Sequence, residues 1–144
     1  MCIRDSAVET YYIKERTHRP TEPVTDLPEC IIPVPVHNQR LLQRGFNQAE
    51  QIARTVANRI GRPCDTKAIV RIESKLPQSS LSAAQREANI RRAFEVKDAS
   101  VIQGLHVAVV DDVYTTGATA RAMARHLKSA GAVRVSVWAV ARTP

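Results

Sequence analysis

No Gly-Lys pair occurs anywhere in the 144 residues, which excludes the G-x-x-x-x-G-K-[ST] loop that cradles nucleoside triphosphates. Glycine is scarce as well, at 5 residues, and the three closely spaced glycines of a dinucleotide fingerprint are absent. Cys2, Cys30 and Cys64 stand far apart and form no C-x-x-C, so neither a zinc ribbon nor a disulfide framework is visible. They read as buried or incidental thiols. Aromatic residues make up only 4% of the chain, a poor supply for a platform that stacks nucleic-acid bases. No apolar run approaches the length of a membrane span. Met1 to Ser6 include Arg4 and Asp5, no apolar h-region follows, and a cytoplasmic location is expected.

Positive charge, by contrast, is plentiful. The formal net charge is +7, with arginines at 40, 44, 54, 59, 62, 71, 86, 91 and 92. Such a balance suits polyanions, either nucleic acid or a polyphosphorylated small molecule, and charge alone does not choose between them. The length is that of one domain with a core large enough to fold unaided.

Residues 1–28 lack periodicity and hold Pro20, Pro23 and Pro28, so they read as a disordered or truncated lead-in to a domain over 29–144. Ile31–Val36 reads as a strand whose prolines belong at its ends or edge. A loop from His37 to Gly45 follows. Phe46–Ile60 is the clearest helix, with Ala49, Ile52, Ala53, Val56, Ala57 and Ile60 on one stripe and Gly61 as its stop. Lys67–Ile72 reads as a short strand and Glu73–Ser80 as an exposed loop. Ser82-Ala83-Ala84-Gln85 has the form of a capping box, which starts a helix running to Ile90. Ala93–Val96, His106–Val113 and Val133–Ala141 read as strands, with a helix over Ala118–Ala130 between the last two. This order predicts an α/β domain, a mainly parallel sheet flanked by helices.

The segment from Val107 to Thr119, V-A-V-V-D-D-V-Y-T-T-G-A-T, carries the chemistry. A short β-branched run suits a central parallel strand, and Asp111 and Asp112 close it where such sheets bind ligands. Adjacent carboxylates repel and, if buried, need hydroxyl donors, a metal or a cation. A ribose offers two vicinal hydroxyls. The amides of Thr115, Thr116, Gly117, Ala118 and Thr119 then fall at a helix N-terminus, where free N–H donors and the helix dipole favour phosphate. Acids for sugar hydroxyls beside a phosphate cradle point to a ribose 5-phosphate site.

D-D-V-Y-T-T-G-A-T resembles the binding motif of type I phosphoribosyltransferases. Ile32–His37, Arg44-Gly45-Phe46-Asn47-Gln48-Ala49-Glu50, and Gln78, Leu81-Ser82, Arg86, Asn89 and Ala93-Phe94 are similar to the ComF/GntX branch of that superfamily. The resemblance implies 5-phosphoribosyl 1-diphosphate as ligand. Asp111 and Asp112 would hold its ribose, and Thr115, Thr116, Gly117, Ala118 and Thr119 its 5-phosphate. It also implies Mg²⁺ carried by diphosphate and ribose oxygens, with no metal held directly by protein. Val36, His37, Arg40, Arg44 and Gly45 match a diphosphate-binding loop by position. Asn47, Gln48, Arg71, Gln78 and Arg86 match the region that closes over the site, although Asn47 reads equally as a helix cap. Glu73 and Lys75 depart from the pattern, which has an arginine and a threonine there. The cysteine-rich zinc module common at the head of ComF-like proteins is not recognisable, consistent with a truncated beginning.

Two functions follow from the resemblance. One is Mg²⁺-dependent transfer of a phosphoribosyl group to an unknown acceptor, for which no nucleophile or general base stands out. The other is a non-catalytic accessory role in DNA uptake and natural transformation, with single-stranded DNA or a helicase as partner.

Overall fold

A computed structural model of the chain describes residues 26–72 and 81–143, together with strand segments at 4–5 and 8–12. The centre is β6, His106–Tyr114, whose Val107, Ala108, Val109 and Val110 are fully buried. An uninterrupted apolar run of this kind belongs to a strand covered on both faces. It pairs in parallel with β3, Cys30–Pro33, on one side and with β7, Arg134–Arg142, on the other. Two further strands, β1 (Arg4–Asp5) and β2 (Val8–Tyr12), complete the order β1-β2-β7-β6-β3. β2 is parallel to β7, and β1 turns back antiparallel at the margin.

Alternation along β6 divides the core between two helices. Ala108 and Val110 face α2, Gln48–Ile60, through a cluster with Ile31, Ala53 and Ala57. Val107 and Val109 face the other way, into a cluster with Met123 and Leu127 of α4, Ala118–Ser129. Met123 and Leu127 are fully buried, and truncating either to alanine would cost about 2–5 kcal/mol. Both helices have the amphipathic faces read from the sequence. Gly61 ends α2 in the left-handed conformation, φ 67°.

The outer side of β3 is an edge. Ile31 N–H donates to Pro63 O at 2.9 Å, and Asp65 N–H donates to Ile31 O at 2.9 Å, so a short strip of chain lies along it. Pro33 is the last residue of the strand. At the far end of the sheet, His106 Nε2 lies 2.7 Å from Ser136 Oγ, and Arg134 pairs with Asp26. The first contact ties β6 to β7, and the second anchors the entry to β3, at the opposite end from Asp111.

Three expectations change. The segment read as a loop from His37 to Gly45 contains a helix, α1, Asn38–Arg44. Its residues are good helix formers and Gly45 caps it at φ 76°, but none of its side chains is buried, so no apolar stripe advertises it. The strands β4, Ile69–Arg71, and β5, Phe94–Val96, do not join the main sheet. They form an antiparallel ribbon of their own, with α3, Ala83–Arg91, between them in the chain. The stretch read as a lead-in contributes β1 and β2. Asp111 and Asp112 lie in the second half of β6, with Asp111 opposite Ala139, inside the strand as read. The capping box at Ser82 and Gln85 is present as read. The loop read at Glu73–Ser80 lies outside the described residues. Among the described residues no helix is long and apolar enough to cross a membrane.

Candidate functional site

The cleft opens where β3 and β6 leave the sheet toward α1, α2 and α4. It has a volume of about 180 Å³. β3 runs out through Val34, Pro35 and Val36 along one wall. Arg40 and Arg44 of α1, Phe46, and Asn47, Gln48 and Ala49 at the start of α2 form another. Arg71 of β4, Asp111 and Asp112 of β6 and Thr119 of α4 complete it.

The two acids are tied into their own backbone. Asp112 N–H donates to Asp111 Oδ1 at 2.9 Å, and Val113 N–H donates to Asp112 Oδ1 at 2.8 Å. Burial pushes the Asp111 carboxyl up to about 7, and the neighbouring Asp112 carboxyl adds to the shift. The Asp112 backbone N–H and the Arg71 guanidinium oppose it without cancelling it. At neutral pH the pair therefore holds less than two full negative charges.

Beyond the acids the chain turns through Thr115 and Thr116, both exposed, to Gly117. Gly117 is the N-cap of α4 at φ 77°, and a side chain there would collide with the Tyr114 ring. Only glycine suits both the backbone conformation and the space. Ala118 N–H reaches Thr116 Oγ1 at 3.4 Å, and Arg121 Nη1 donates to Thr116 O at 2.9 Å, which braces the turn. The N–H groups of Thr119 and Ala120, next in the first turn of α4, have no intrahelical acceptor, and donors of this kind suit an anion.

Asn47 uses both ends of its amide. Its Oδ1 accepts from Ala49 N–H at 3.1 Å and caps α2, while Nδ2 donates to Val34 O at 3.1 Å. The side chain thus fixes the helix start against the end of β3. Arg71 comes from the antiparallel ribbon. Its guanidinium carbon lies 5.7 Å from the centre of the Phe94 ring, and its buried Nε has no hydrogen-bond partner among the described residues.

Of the residues singled out from sequence, Asp111, Asp112, Thr119, Val36, Arg40, Arg44, Asn47, Gln48 and Arg71 all line this one cleft. Thr115, Thr116, Gly117 and Ala118 form the turn at its end. His37 and Gly45 cap α1 without lining the cleft. Arg86 sits exposed on α3, away from the lining, and Gln78 lies outside the described residues. Val34, Pro35, Phe46 and Ala49 were not anticipated as lining. Phe46 carried a signal: an aromatic side chain just before a helix cap, 45% exposed.

Residues 41–144 match the model of the phosphoribosyl transferase domain, from α1 through the acids and the turn to the chain end. The chain belongs to this family. Its relatives are of the ComF-like kind. It is 38% identical over 117 residues to the DNA utilization protein YhgH of Salmonella typhi, covering 81% of this chain and 51% of that protein. It is 33% identical over 129 residues to competence protein F of Haemophilus influenzae, covering 89% of this chain and 54% of the relative. The chain thus spans about half the length of the curated relatives it matches. Among solved structures, the Bacillus subtilis glutamine phosphoribosylpyrophosphate amidotransferase superposes with a TM-score of 0.54 at 22% identity. That match covers 79% of this phosphoribosyltransferase-family chain and 22% of the amidotransferase, and it establishes the fold alone.

Proposed function

We propose that this chain binds 5-phosphoribosyl 1-diphosphate with Mg²⁺ in the cleft, as a ComF-like member of its family. The observation that carries the reading is the meeting in one cleft of Asp111, Asp112 and Thr119 with Arg40, Arg44 and Arg71. Carboxylates accept from ribose hydroxyls, the Thr115–Thr119 turn offers N–H donors to the 5-phosphate, and the arginines face the diphosphate. Mg²⁺ would be carried by the diphosphate and ribose oxygens of the ligand, with no metal held directly by the protein. When bound, it would neutralise charge on the diphosphate. Arg40 and Arg44 would add to that stabilisation as diphosphate departs, which is what transfer to an acceptor requires.

Calorimetry with the diphosphate donor and Mg²⁺ tests the site. Binding by the wild type and a loss of about tenfold or more in Asp112→Asn is expected, the usual scale for one charge-assisted hydrogen bond. Equal affinities for the two proteins would remove the assignment.

A second reading, service in DNA uptake through contact with single-stranded DNA, draws on the names of the relatives and on one surface feature. Arg91, Arg121 and Arg125 surround Glu87 and hold its carboxyl below the usual range, through the Arg91 hydrogen bond first. A face with several cations around one acid suits a phosphate backbone. A helicase partner belongs to the same reading.

A further inference from the structure

One residue grips Gly117 from both sides. Arg121 N–H donates to Gly117 O at 2.9 Å, the first rung of α4, and Arg121 Nη1 donates to Thr116 O at 2.9 Å. The two carbonyls that flank the Gly117 Cα are thus held by the backbone and the side chain of the same arginine. A trans peptide is planar, and its C=O points away from the N–H of the next residue. Holding Thr116 O therefore sets the direction of Gly117 N–H, and holding Gly117 O sets that of Ala118 N–H. Successive N–H groups set in this way by a turn make a concavity for an anion.

Glycine has more backbone freedom to lose than any other residue, so an unheld Gly117 would be the loosest point of the turn. Tyr114 limits it from another direction. The hydroxyl end of its ring and Arg121 Nη1 both crowd the space that a Gly117 side chain would take. The tyrosine is itself packed against the core, and Thr143 N–H donates to its carbonyl at 3.1 Å. Arg121 thus holds the turn against a fixed wall. Its charge is felt by Glu87 of α3, but the hydrogen bond to that carboxylate comes from Arg91. The Arg121 guanidinium is directed at the turn instead.

We propose that Arg121 is a positioning residue for the ligand phosphate, gripping Thr116 O so that Gly117 N–H is aimed at a phosphoryl oxygen. The proposal rests on the reading of the cleft as a ribose 5-phosphate site. It adds to that site a residue outside the cleft lining, one that acts without touching the ligand. What Arg121 supplies is a donor direction set in advance, so the turn need not be ordered on binding.

Calorimetry and amide NMR with ribose 5-phosphate test the assignment on the full chain as wild type, Arg121→Met and Arg121→Lys. In wild type the ligand is expected to move the Gly117 amide proton downfield, as donation to a phosphoryl oxygen does. Arg121→Met should bind about fivefold or more weakly, with a smaller displacement of that proton at saturation, and Arg121→Lys should fall between the two in both readouts. The amides of Gly61, which ends α2, and Gly104, which precedes β6, should stay in place and report an intact fold. Equal affinity and equal displacement in wild type and Arg121→Met overturn the proposal. Arg121→Lys with wild-type affinity but the Gly117 signal of Arg121→Met overturns it too, since charge alone would then be acting. Movement of Gly61 and Gly104 in Arg121→Met does the same, by marking the arginine as structural. A wild type that binds without moving Gly117 overturns this proposal alone, and one that does not bind overturns the underlying reading of the cleft.

Discussion

Ribose 5-phosphate binding is expected to strengthen as pH rises through about 7, where burial and the Asp112 carboxyl move the Asp111 ionisation. A carboxylate accepts strongly from ribose hydroxyls, and the neutral acid accepts weakly. If only the ionised form binds, the apparent dissociation constant grows with the protonated fraction, roughly 30-fold from pH 8 to pH 5.5. The ligand phosphate also titrates near pH 6 and weakens binding in the same direction. Asp111→Asn separates the two, because it keeps the oxygen that accepts from Asp112 N–H but cannot ionise. Calorimetry at half-unit pH steps should give a steeper loss toward acid in wild type than in the variant. Parallel curves for the two proteins would refute the role given to Asp111.

The free protein should show the opposite dependence. The folded-state value lies above the ordinary 3.8, so this contribution to stability is present below 3.8 and is lost as pH rises to about 7. Asp111→Asn should therefore melt progressively higher than wild type between pH 4 and 7, with a constant gain above.

Asn47→Ala removes a helix cap and leaves the Val34 carbonyl, on a buried residue, without its donor, together about 2–3 kcal/mol in urea unfolding. Asn47→Ser should recover the cap share only, and an alanine variant within about 0.5 kcal/mol of wild type would contradict the assignment. For the DNA reading, Arg91→Glu and Arg125→Glu should each weaken single-stranded DNA and lower the slope of log affinity against log salt by about 1. An unchanged slope in a salt titration of both variants would remove the α3–α4 face from that role.

The elements around the acids were legible because local chemistry and tertiary role agree there. Val107–Val110 is apolar on both faces, Gly117 sits where a left-handed residue is needed, and Ala118–Ala130 carries an amphipathic stripe. α1 was not legible: Asn38–Arg44 buries nothing, so periodicity has no signal to report. Nor does residue order reveal strand partners. Ile69–Arg71 and Phe94–Val96 are three residues each, and only their mutual register removes them from the main sheet. The cleft residues read from sequence lie on β6, α4, α1, β4, the start of α2 and the chain just after β3. Those set by packing, Val34, Pro35 and Ala49, became visible only once β3 and α2 were brought together.

The margin at β3 bears on the protein's behaviour in concentrated solution. An open sheet grows by recruiting a stranger's backbone along an unprotected rim. Here Ile31 has already spent its outward N–H and C=O on Pro63 and Asp65, and Pro33 has no N–H to offer. A second molecule approaching from that side meets an interrupted row of donors and acceptors. The side of the sheet next to the cleft is thus a poor template for intermolecular strand pairing.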